Sequence, residues 1–131
     1  MPADELAIRA LVAHFADIVN RRAYDELPEV WANEGVWQIP GYDDCIGPAA
    51  MADRLRGLLD NHEALVQLVH SGRIWLDDNR AAGRWYISEV ARGVDGQSRM
   101  FAGVYHDETV RKADGWRFIR RRYESLIRVD L

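Results

Sequence analysis

The sequence is poor in cysteine: its 131 residues include only Cys45, so no disulfide can form within the chain. A chain of this length buries enough apolar surface to fold without covalent cross-links. One cysteine also fits a reducing compartment, and the N-terminus has no basic segment followed by an apolar one, as a secretion signal would. We therefore expect a single domain over residues 1–131 and a cytoplasmic location.

Long hydrophobic runs and positive charge are also scarce. No stretch reaches the ~18 consecutive apolar residues of a membrane-spanning helix. Lysine and arginine number 17 against 21 aspartate and glutamate residues, a formal net charge of −4, whereas nucleic-acid-binding domains are typically basic. The arginines near the C-terminus alternate with apolar residues, as on the solvated face of a strand; they are Arg117, Arg120, Arg121, Arg122 and Arg128. These features predict neither a nucleic-acid nor a membrane partner.

Several motifs that hold cofactors or carry out catalysis are absent. The chain has no glycine-rich phosphate-binding loop and no G-x-S-x-G nucleophile elbow. Its four histidines, His14, His62, His70 and His106, are scattered, and no Cys/His cluster has the spacing of metal ligands. We therefore predict no metal and no organic cofactor. Acid–base chemistry by side chains in a cavity, or binding alone, is then the expected activity.

The apolar residues that are present change their spacing at Glu63. The earlier, helical period predicts helices over residues 4–19, 24–31 and 48–59, with a short strand over 35–39. The later alternation predicts long strands over residues 64–76, 80–92, 98–111 and 116–129. Helices followed by antiparallel strands indicate an α+β fold, with the helices packed on one face of a curved sheet.

Short motifs, taken in order, resemble the SnoaL-like branch of the nuclear transport factor two-like superfamily. They are residues 24–27 (YDEL), 31–37 (WANEGVW), 39–41 (IPG), 47–50 (GPAA), 103–107 (GVYHD) and 114–118 (DGWRF). The resemblance spans nearly the whole chain. It implies a cone-shaped α+β barrel, in which three helices close over a strongly curved antiparallel sheet around an apolar pocket. Relatives with this fold include scytalone dehydratase, bile acid 7α-dehydratase, polyketide cyclases and ketosteroid isomerase.

The dehydratase-like relatives carry an Asp on the loop after the first helix and a His on the first long strand, and the two together abstract a proton. The resemblance places Asn20 at the Asp position and Gln67 at the His position. Side-chain amides donate and accept hydrogen bonds but do not take up a proton at neutral pH. We therefore predict that Asn20 and Gln67 face the pocket and orient a substrate carbonyl or hydroxyl, without serving as the base.

Two other titratable residues resemble site positions of the family. Glu89 falls where the bile acid dehydratase has a catalytic-site Asp, and His106 falls where scytalone dehydratase has a substrate-binding Asn. A glutamate and a histidine in one apolar cavity would form an acid–base pair with shifted pKa values. The alternative is that Glu89 pairs with a strand arginine such as Arg92, and that His106 is a wall residue. His70 lies at an odd offset from Gln67 and would face outward unless a bulge intervenes.

The remaining candidate site residues are apolar or aromatic. Alternation from Glu89 puts Trp85 and Ile87 on the same inward face, and Phe15 stands where the bile acid relative has a catalytic-site Tyr. Further candidates for lining or capping the cavity are Tyr24, Trp37, Tyr42, Met51, Leu55, Leu59, Met100 and Tyr105. Each of them could instead be ordinary core packing.

Hypotheses from different functional classes stay open. One is a cofactor-independent lyase, isomerase or cyclase acting on a hydrophobic oxygenated molecule of polyketide, terpenoid or steroid type, with Glu89 or His106 as the proton carrier. Another is a non-catalytic small-molecule-binding protein that kept the pocket and lost the Asp–His pair. A third is a structural partner with a filled cone. The resemblance also implies a homodimer or higher homo-oligomer formed through the face of the sheet.

Overall fold

The computed structural model describes residues 2–131 as two α-helices, a 3₁₀ helix and six strands. The helices are α1 (Pro2–Arg21), the 3₁₀ helix (Tyr24–Glu29) and α2 (Pro48–Asp60). The strands are β1 (Trp31–Gln38), β2 (Cys45–Ile46), β3 (His62–Asp77), β4 (Arg80–Gly93), β5 (Ser98–Lys112) and β6 (Gly115–Asp130). The predicted α+β class, with helices before long strands, is confirmed. No helix within residues 2–131 is long and apolar enough to cross a membrane.

Helix α1 buries one apolar stripe and ends in a Schellman motif. The stripe consists of Ile8, Leu11, Val12, Phe15, Ala16, Ile18 and Val19. At the end of the helix, the N–H of Arg22 donates to the carbonyl of Val19, and Arg22 takes the left-handed conformation (φ 56°) that such a cap requires. The N–H of Ala23 donates to the carbonyl of Ile18. Asn20 therefore lies within the last helical turn, and Arg22 holds the capping position.

The short second helix predicted over residues 24–31 is a 3₁₀ helix that ends earlier, at Glu29. Pro28 lies inside it. Proline lacks the N–H that would continue an α-helical ladder, and its ring crowds the preceding turn. The chain becomes extended at Trp31, so β1 begins earlier than the strand predicted over residues 35–39.

The strands form one sheet in the order β2-β1-β6-β5-β4-β3. Strands β3 to β6 pair with their neighbours antiparallel, but β1 pairs with β6 in parallel. The sheet is mixed and open, with β2 and β3 as its edges, and of the described strands only β1 departs from the predicted antiparallel pairing. The tight turns between β3, β4, β5 and β6 had a sequence signal, whereas the pairing of β1 with β6 joins segments distant in the chain.

The core lies between the helices and the concave face of the sheet. Phe15 of α1 stands at its centre and contacts four other aromatic rings edge-on, at centroid distances of 5.7 to 6.3 Å. Those rings belong to Trp31, Trp37, Tyr105 and Phe118. Three rings of this aromatic cluster, Phe15, Trp37 and Tyr105, also border the cavity that remains between the helices and the sheet.

Candidate functional site

A cavity of about 190 Å³ lies between α1, the C-terminal half of α2 and the concave face of the sheet. Its wall is apolar or aromatic and consists of Phe15, Val19, Trp37, Ile39, Leu55, Leu58, Leu59, Leu65, Phe101, Tyr105 and Tyr123. Its acidic, basic and amide side chains are Glu89, His62 and Gln67. A largely apolar wall with a few converging polar groups is the usual composition of a small-molecule site.

Glu89 and Gln67 form a side-chain pair inside this cavity. They lie directly opposite each other on β4 and β3, and Nε2 of Gln67 donates to Oε2 of Glu89 at 3.1 Å. Gln67 is 5% exposed. Its carbonyl Oε1 is buried without a hydrogen-bond partner among residues 2–131. The structure therefore places both side chains at the cavity, and the partner of Glu89 is Gln67 and not a strand arginine.

Burial raises the pKa of Glu89 above its usual range, because the ionised carboxylate loses its hydration in the apolar cavity. The hydrogen bond from Gln67 and the nearby His62 both act in the opposite direction, and burial outweighs them. A carboxyl group whose pKa is displaced toward neutrality can exchange protons with a ligand near neutral pH. Glu89 is thus chemically equipped for acid–base work.

His62 is a polar cavity residue that the sequence reasoning missed. Its Nδ1 lies 3.0 Å from the carbonyl oxygen of Leu58. A carbonyl only accepts, so Nδ1 carries the proton in the neutral ring and Nε2 is left as an acceptor. Counting alternation from Gln67 puts His62 on the outer face, but the pairing register shifts between His62 and Ala64. A bulge of this kind re-aims a side chain, and the sequence carries no signal for it.

Two tyrosines bring hydroxyl groups to the same wall. The indole N–H of Trp37 donates to the hydroxyl oxygen of Tyr105 at 3.1 Å, so the proton of that hydroxyl is left to donate elsewhere. Burial raises the pKa of Tyr105, so the group stays protonated at neutral pH. Burial, with the charge of Glu89 adding to it, raises the pKa of Tyr123 to about 12. Both tyrosines are therefore hydrogen-bond donors and not bases near neutral pH.

A buried ion pair packs against the aromatic residues of the cavity wall and core. Nε of Arg121 donates to Oδ1 of Asp107 at 2.8 Å, and both side chains are 1% exposed. The guanidinium lies 3.9 Å from the ring centre of Tyr105 and 4.3 Å from that of Phe118. The prediction that Arg121 belongs to a solvated face is therefore wrong. The register of β5 and β6 shifts between Glu108 and Thr109, and this shift turns Arg121 inward.

Asn20 does not line the cavity, contrary to the prediction. It is an exposed residue in the last turn of α1, next to the edge strand β3. Its Nδ2 donates to the carbonyl of Gln67 at 3.0 Å, and its Oδ1 accepts from the backbone N–H of Gln67 at 2.7 Å. The amide is thus engaged with the main chain of the residue at the predicted His position. Gln67 itself faces the cavity.

His106 lies on the outer face of the sheet, so its predicted place in the pocket is wrong. Its Nε2 is 2.9 Å from Oε1 of Glu124. The physical reason is strand alternation: Tyr105, the preceding residue, lines the cavity, and neighbouring residues of a strand point to opposite faces. His70 also lies outside and contacts Oγ of Ser88 at 2.6 Å.

Six further residues predicted to line or cap the cavity lie elsewhere than on its wall: Trp85, Ile87, Tyr24, Tyr42, Met51 and Met100. Trp85 and Ile87 are buried on the same side of β4 as Glu89, as alternation predicts, but they belong to the packed core. Tyr24 is half-buried against the core, and the guanidinium of Arg56 lies 4.7 Å from its ring centre. By contrast, Phe15, Trp37 and Tyr105 do line the cavity, and their roles stay predictions.

One group of potential metal ligands lies at the surface, apart from the cavity. The ligand atoms of His14, Glu26 and Glu29 lie within 4.8 Å of one another. Arg21 donates to both carboxylate oxygens of Glu26 and holds its pKa at about 2. Because the Arg21 guanidinium already pairs with the Glu26 carboxylate, we assign no ion to this group.

The chain belongs to the family of SnoaL-like domains, which matches residues 2–122. An uncharacterized protein of Mycobacterium tuberculosis is 25% identical over 121 residues, covering 90% of this chain and 82% of that protein. Among solved structures, hexachlorocyclohexane dehydrochlorinase LinA-type3 from Novosphingobium barchaimii has a TM-score of 0.92 at 20% identity, over 98% of this chain and 90% of its own. A scytalone-dehydratase-like protein from Novosphingobium aromaticivorans has a TM-score of 0.87 at 17% identity, over 100% and 92%. These likenesses establish the fold, and the neighbours that share it include proteins named for lyase reactions.

Proposed function

We propose that this protein is a cofactor-independent lyase or isomerase that acts on a small, hydrophobic, oxygenated molecule, with Glu89 as the proton carrier. The observation that carries the proposal is the Glu89 carboxyl group itself: it lies in an apolar cavity, its pKa is raised by burial, and its hydrogen-bond partner is a neutral amide. A structural carboxylate in an apolar environment would normally be paired with a cation.

In the proposed reaction, the Glu89 carboxylate takes a proton from a substrate carbon that is bonded either to a carbonyl carbon or to the carbon that bears a leaving group. The electron pair of the broken C–H bond forms a double bond, and either the carbonyl oxygen becomes an enolate or the leaving group departs with its electrons. Protonated Glu89 then returns the proton to another carbon or to the leaving oxygen. The hydroxyl groups of Tyr105 and Tyr123 are the donors available for the developing negative charge.

Gln67 is suited to both protonation states of Glu89. In the observed orientation its Nε2–H donates to the carboxylate. If the amide turns over, its Oε1, buried without a partner among residues 2–131, would accept from the protonated carboxyl instead. An amide partner can therefore hydrogen-bond a carboxyl group both as a base and as an acid. A fixed cation would instead hold that carboxyl group in its ionised form.

The size of the cavity narrows the substrate class to molecules with about one ring. A cavity of roughly 150 Å³ holds benzene, whereas drug-sized ligands occupy roughly 300–1,000 Å³. The cavity of about 190 Å³ lies close to the first value. Of the predicted polyketide, terpenoid and steroid types, a single-ring oxygenated molecule matches this volume best. A dehydrochlorinase named for a six-membered ring among the structural neighbours supports the same size class.

Binding without catalysis is the second candidate, and one observation favours it. The resemblance places Asn20 and Gln67 at the two positions of the relatives' Asp–His pair, and side-chain amides cannot take up a proton at neutral pH. On this alternative Glu89 would serve as a buried hydrogen-bond donor that selects a ligand carbonyl.

Proton exchange in D₂O distinguishes the two functions. Single-ring ketones such as cyclohexanone are incubated with the protein, and loss of the α-proton signal is followed by NMR. We expect the wild-type protein to accelerate exchange and Glu89→Gln to lose at least about 100-fold of that acceleration, the typical contribution of a general base. Glu63→Gln, which changes an exposed carboxylate of β3, is the matched control and retains the activity.

The outcome that rejects catalysis is equally specific. If the wild-type protein binds the ketones by thermal shift but exchanges no protons above the buffer rate, the binding function replaces the enzymatic one. Glu89→Asp guards against a folding failure in Glu89→Gln, since it keeps the charge and shortens the reach. An enzyme would show reduced but measurable exchange in this variant.

We further propose a cytoplasmic location, in keeping with the buried free thiol of Cys45. For a partner we propose a second copy of the chain on the outer face of the sheet. These two proposals are independent of the chemistry, and the second is tested below.

A further inference from the structure

The main chain of Gln67 is held from outside the sheet. Strand β3 is an edge strand, so every second residue directs its N–H and C=O away from β4, where no strand can pair with them. At Gln67 these two groups are not left to solvent. Asn20 accepts from the N–H at 2.7 Å and donates to the C=O at 3.0 Å, as a neighbouring strand would do.

This arrangement fixes the kind of cross-strand pair to which Gln67 belongs. Because both of its backbone groups point to Asn20, Gln67 and Glu89 form a non-hydrogen-bonded antiparallel pair. In such pairs the Cα atoms approach to about 4.5 Å and the side chains are closest. The side-chain hydrogen bond of 3.1 Å between Gln67 and Glu89 depends on that closeness.

The C-terminal end of α1 is held in place on β3 by contacts beside the one between Asn20 and Gln67. Asn20 lies in the last turn, which the left-handed cap at Arg22 closes. The Arg22 guanidinium also reaches β3 and donates to the carbonyl of His62 at 2.9 Å. Val19, the residue before Asn20, is part of the cavity wall. One helical turn therefore carries a wall residue, a contact to the main chain of Gln67 and a second contact to the same strand.

We propose that Asn20 is a positioning residue, which fixes the main chain of Gln67 and, through it, the side-chain pair of Gln67 and Glu89. This proposal deepens the function proposed above and rests on it. Asn20 acts without touching the substrate. The position that carries the base in relatives would then serve the same cavity in this chain by setting the geometry of another carboxyl group.

The test measures the pKa of Glu89 by ¹³C NMR of its side-chain carboxyl group in labelled protein, so it needs no turnover. The other titratable groups that face the cavity are His62, Tyr105 and Tyr123. We expect Asn20→Ala to raise the pKa of Glu89 by roughly 0.5 to 1, because a loosened Gln67 no longer donates steadily to the carboxylate.

The matched control is Arg22→Ala, which removes a side-chain contact from the same helical turn to the same strand but leaves Gln67 in place. We expect this variant to keep the wild-type pKa of Glu89. A second comparison uses Gln67→Met, which removes the donor to Glu89. In this background Asn20→Ala should raise the pKa no further, because Asn20 acts through the side chain of Gln67.

The proposal is overturned if Asn20→Ala leaves the pKa of Glu89 unchanged or lowers it, or if its effect persists in the Gln67→Met background. Should Asn20→Ala fail to fold, Asn20→Gln displaces the same amide by one methylene group, and the same criteria apply. Absence of ketone exchange in the wild-type protein would reject the proposed catalysis but would leave this measurement interpretable.

Discussion

At the scale of the residue, Glu89 makes the stability of the fold depend on pH. Its pKa is raised in the folded state by burial, so between the unfolded and folded pKa values the native protein binds more protons than the unfolded chain. Stability therefore falls as pH rises through this window, by at most about 1.4 kcal/mol per pH unit. We expect Glu89→Gln to be more stable than wild type at pH 7 and to lose that advantage at pH 4. Urea unfolding at the two pH values checks this, and an equal advantage at both would contradict it.

The face of the sheet to which a side chain points was predictable where the strand is regular. Alternation along β4 correctly grouped Glu89 with Ile87 on the inner face. It failed wherever a bulge intervened: the extra residue after His62 turns that ring into the cavity, and the register shift near Glu108 turns Arg121 into the core. A bulge follows from how two strands pair across the sheet. One strand's sequence does not contain that information, so the outward prediction for Arg121 could not have been corrected from the sequence.

At the scale of the element, two glycines should respond to the same substitution in opposite directions. Gly72 lies at a register shift in β3, and a Cβ there would overlap the indole ring of Trp85. Gly57 lies within α2, and a Cβ there would meet open space. We expect Gly72→Ala to destabilise the fold by about 1–3 kcal/mol through overpacking. Gly57→Ala should instead stabilise it by about 0.5–1 kcal/mol, since alanine loses less backbone entropy in a helix.

Urea unfolding of the two glycine variants, with the slope of the transition compared against wild type, measures both effects. A neutral Gly72→Ala would mean that Trp85 has room to move, and the tight packing of that ring on β3 would be refuted. Each variant acts as the control for the other, because both add one methyl group to the same chain.

The bounds of the strands were predicted more reliably than the pairing of one strand with another. The predicted strands over residues 80–92 and 98–111 correspond to β4 and β5 with nearly the same ends, because turn residues such as Asp78 and Asn79 bound them. The partner of β1 could not be predicted in this way. Its parallel pairing with β6 joins segments that are about 80 residues apart in the chain, and no turn signal links them.

At the scale of the whole molecule, the outer face of the sheet carries an apolar patch, which we call the outer patch and define as Val66, Leu68, Tyr86 and Val90. These side chains are 42–47% exposed, and Val66 lies directly opposite Val90 on the neighbouring strand. Contiguous apolar surface of this kind marks interaction sites in soluble domains. A second copy of the chain offers the same patch in return, which is the self-complementary contact of a two-fold dimer.

The dimer prediction is tested by comparing substitutions in the outer patch with a substitution of an exposed apolar residue outside it. We expect the wild-type protein to sediment as a dimer or higher oligomer, and the double variant Val66→Glu/Val90→Glu to sediment as a folded monomer, because two buried like charges from each copy would face each other across the interface. Leu6→Glu changes a side chain that is 67% exposed on α1 and should leave the oligomer intact. A wild-type protein that is monomeric at tens of micromolar would refute the interface. The cavity chemistry would be unaffected, because Glu89 faces the opposite side of the sheet from Val90.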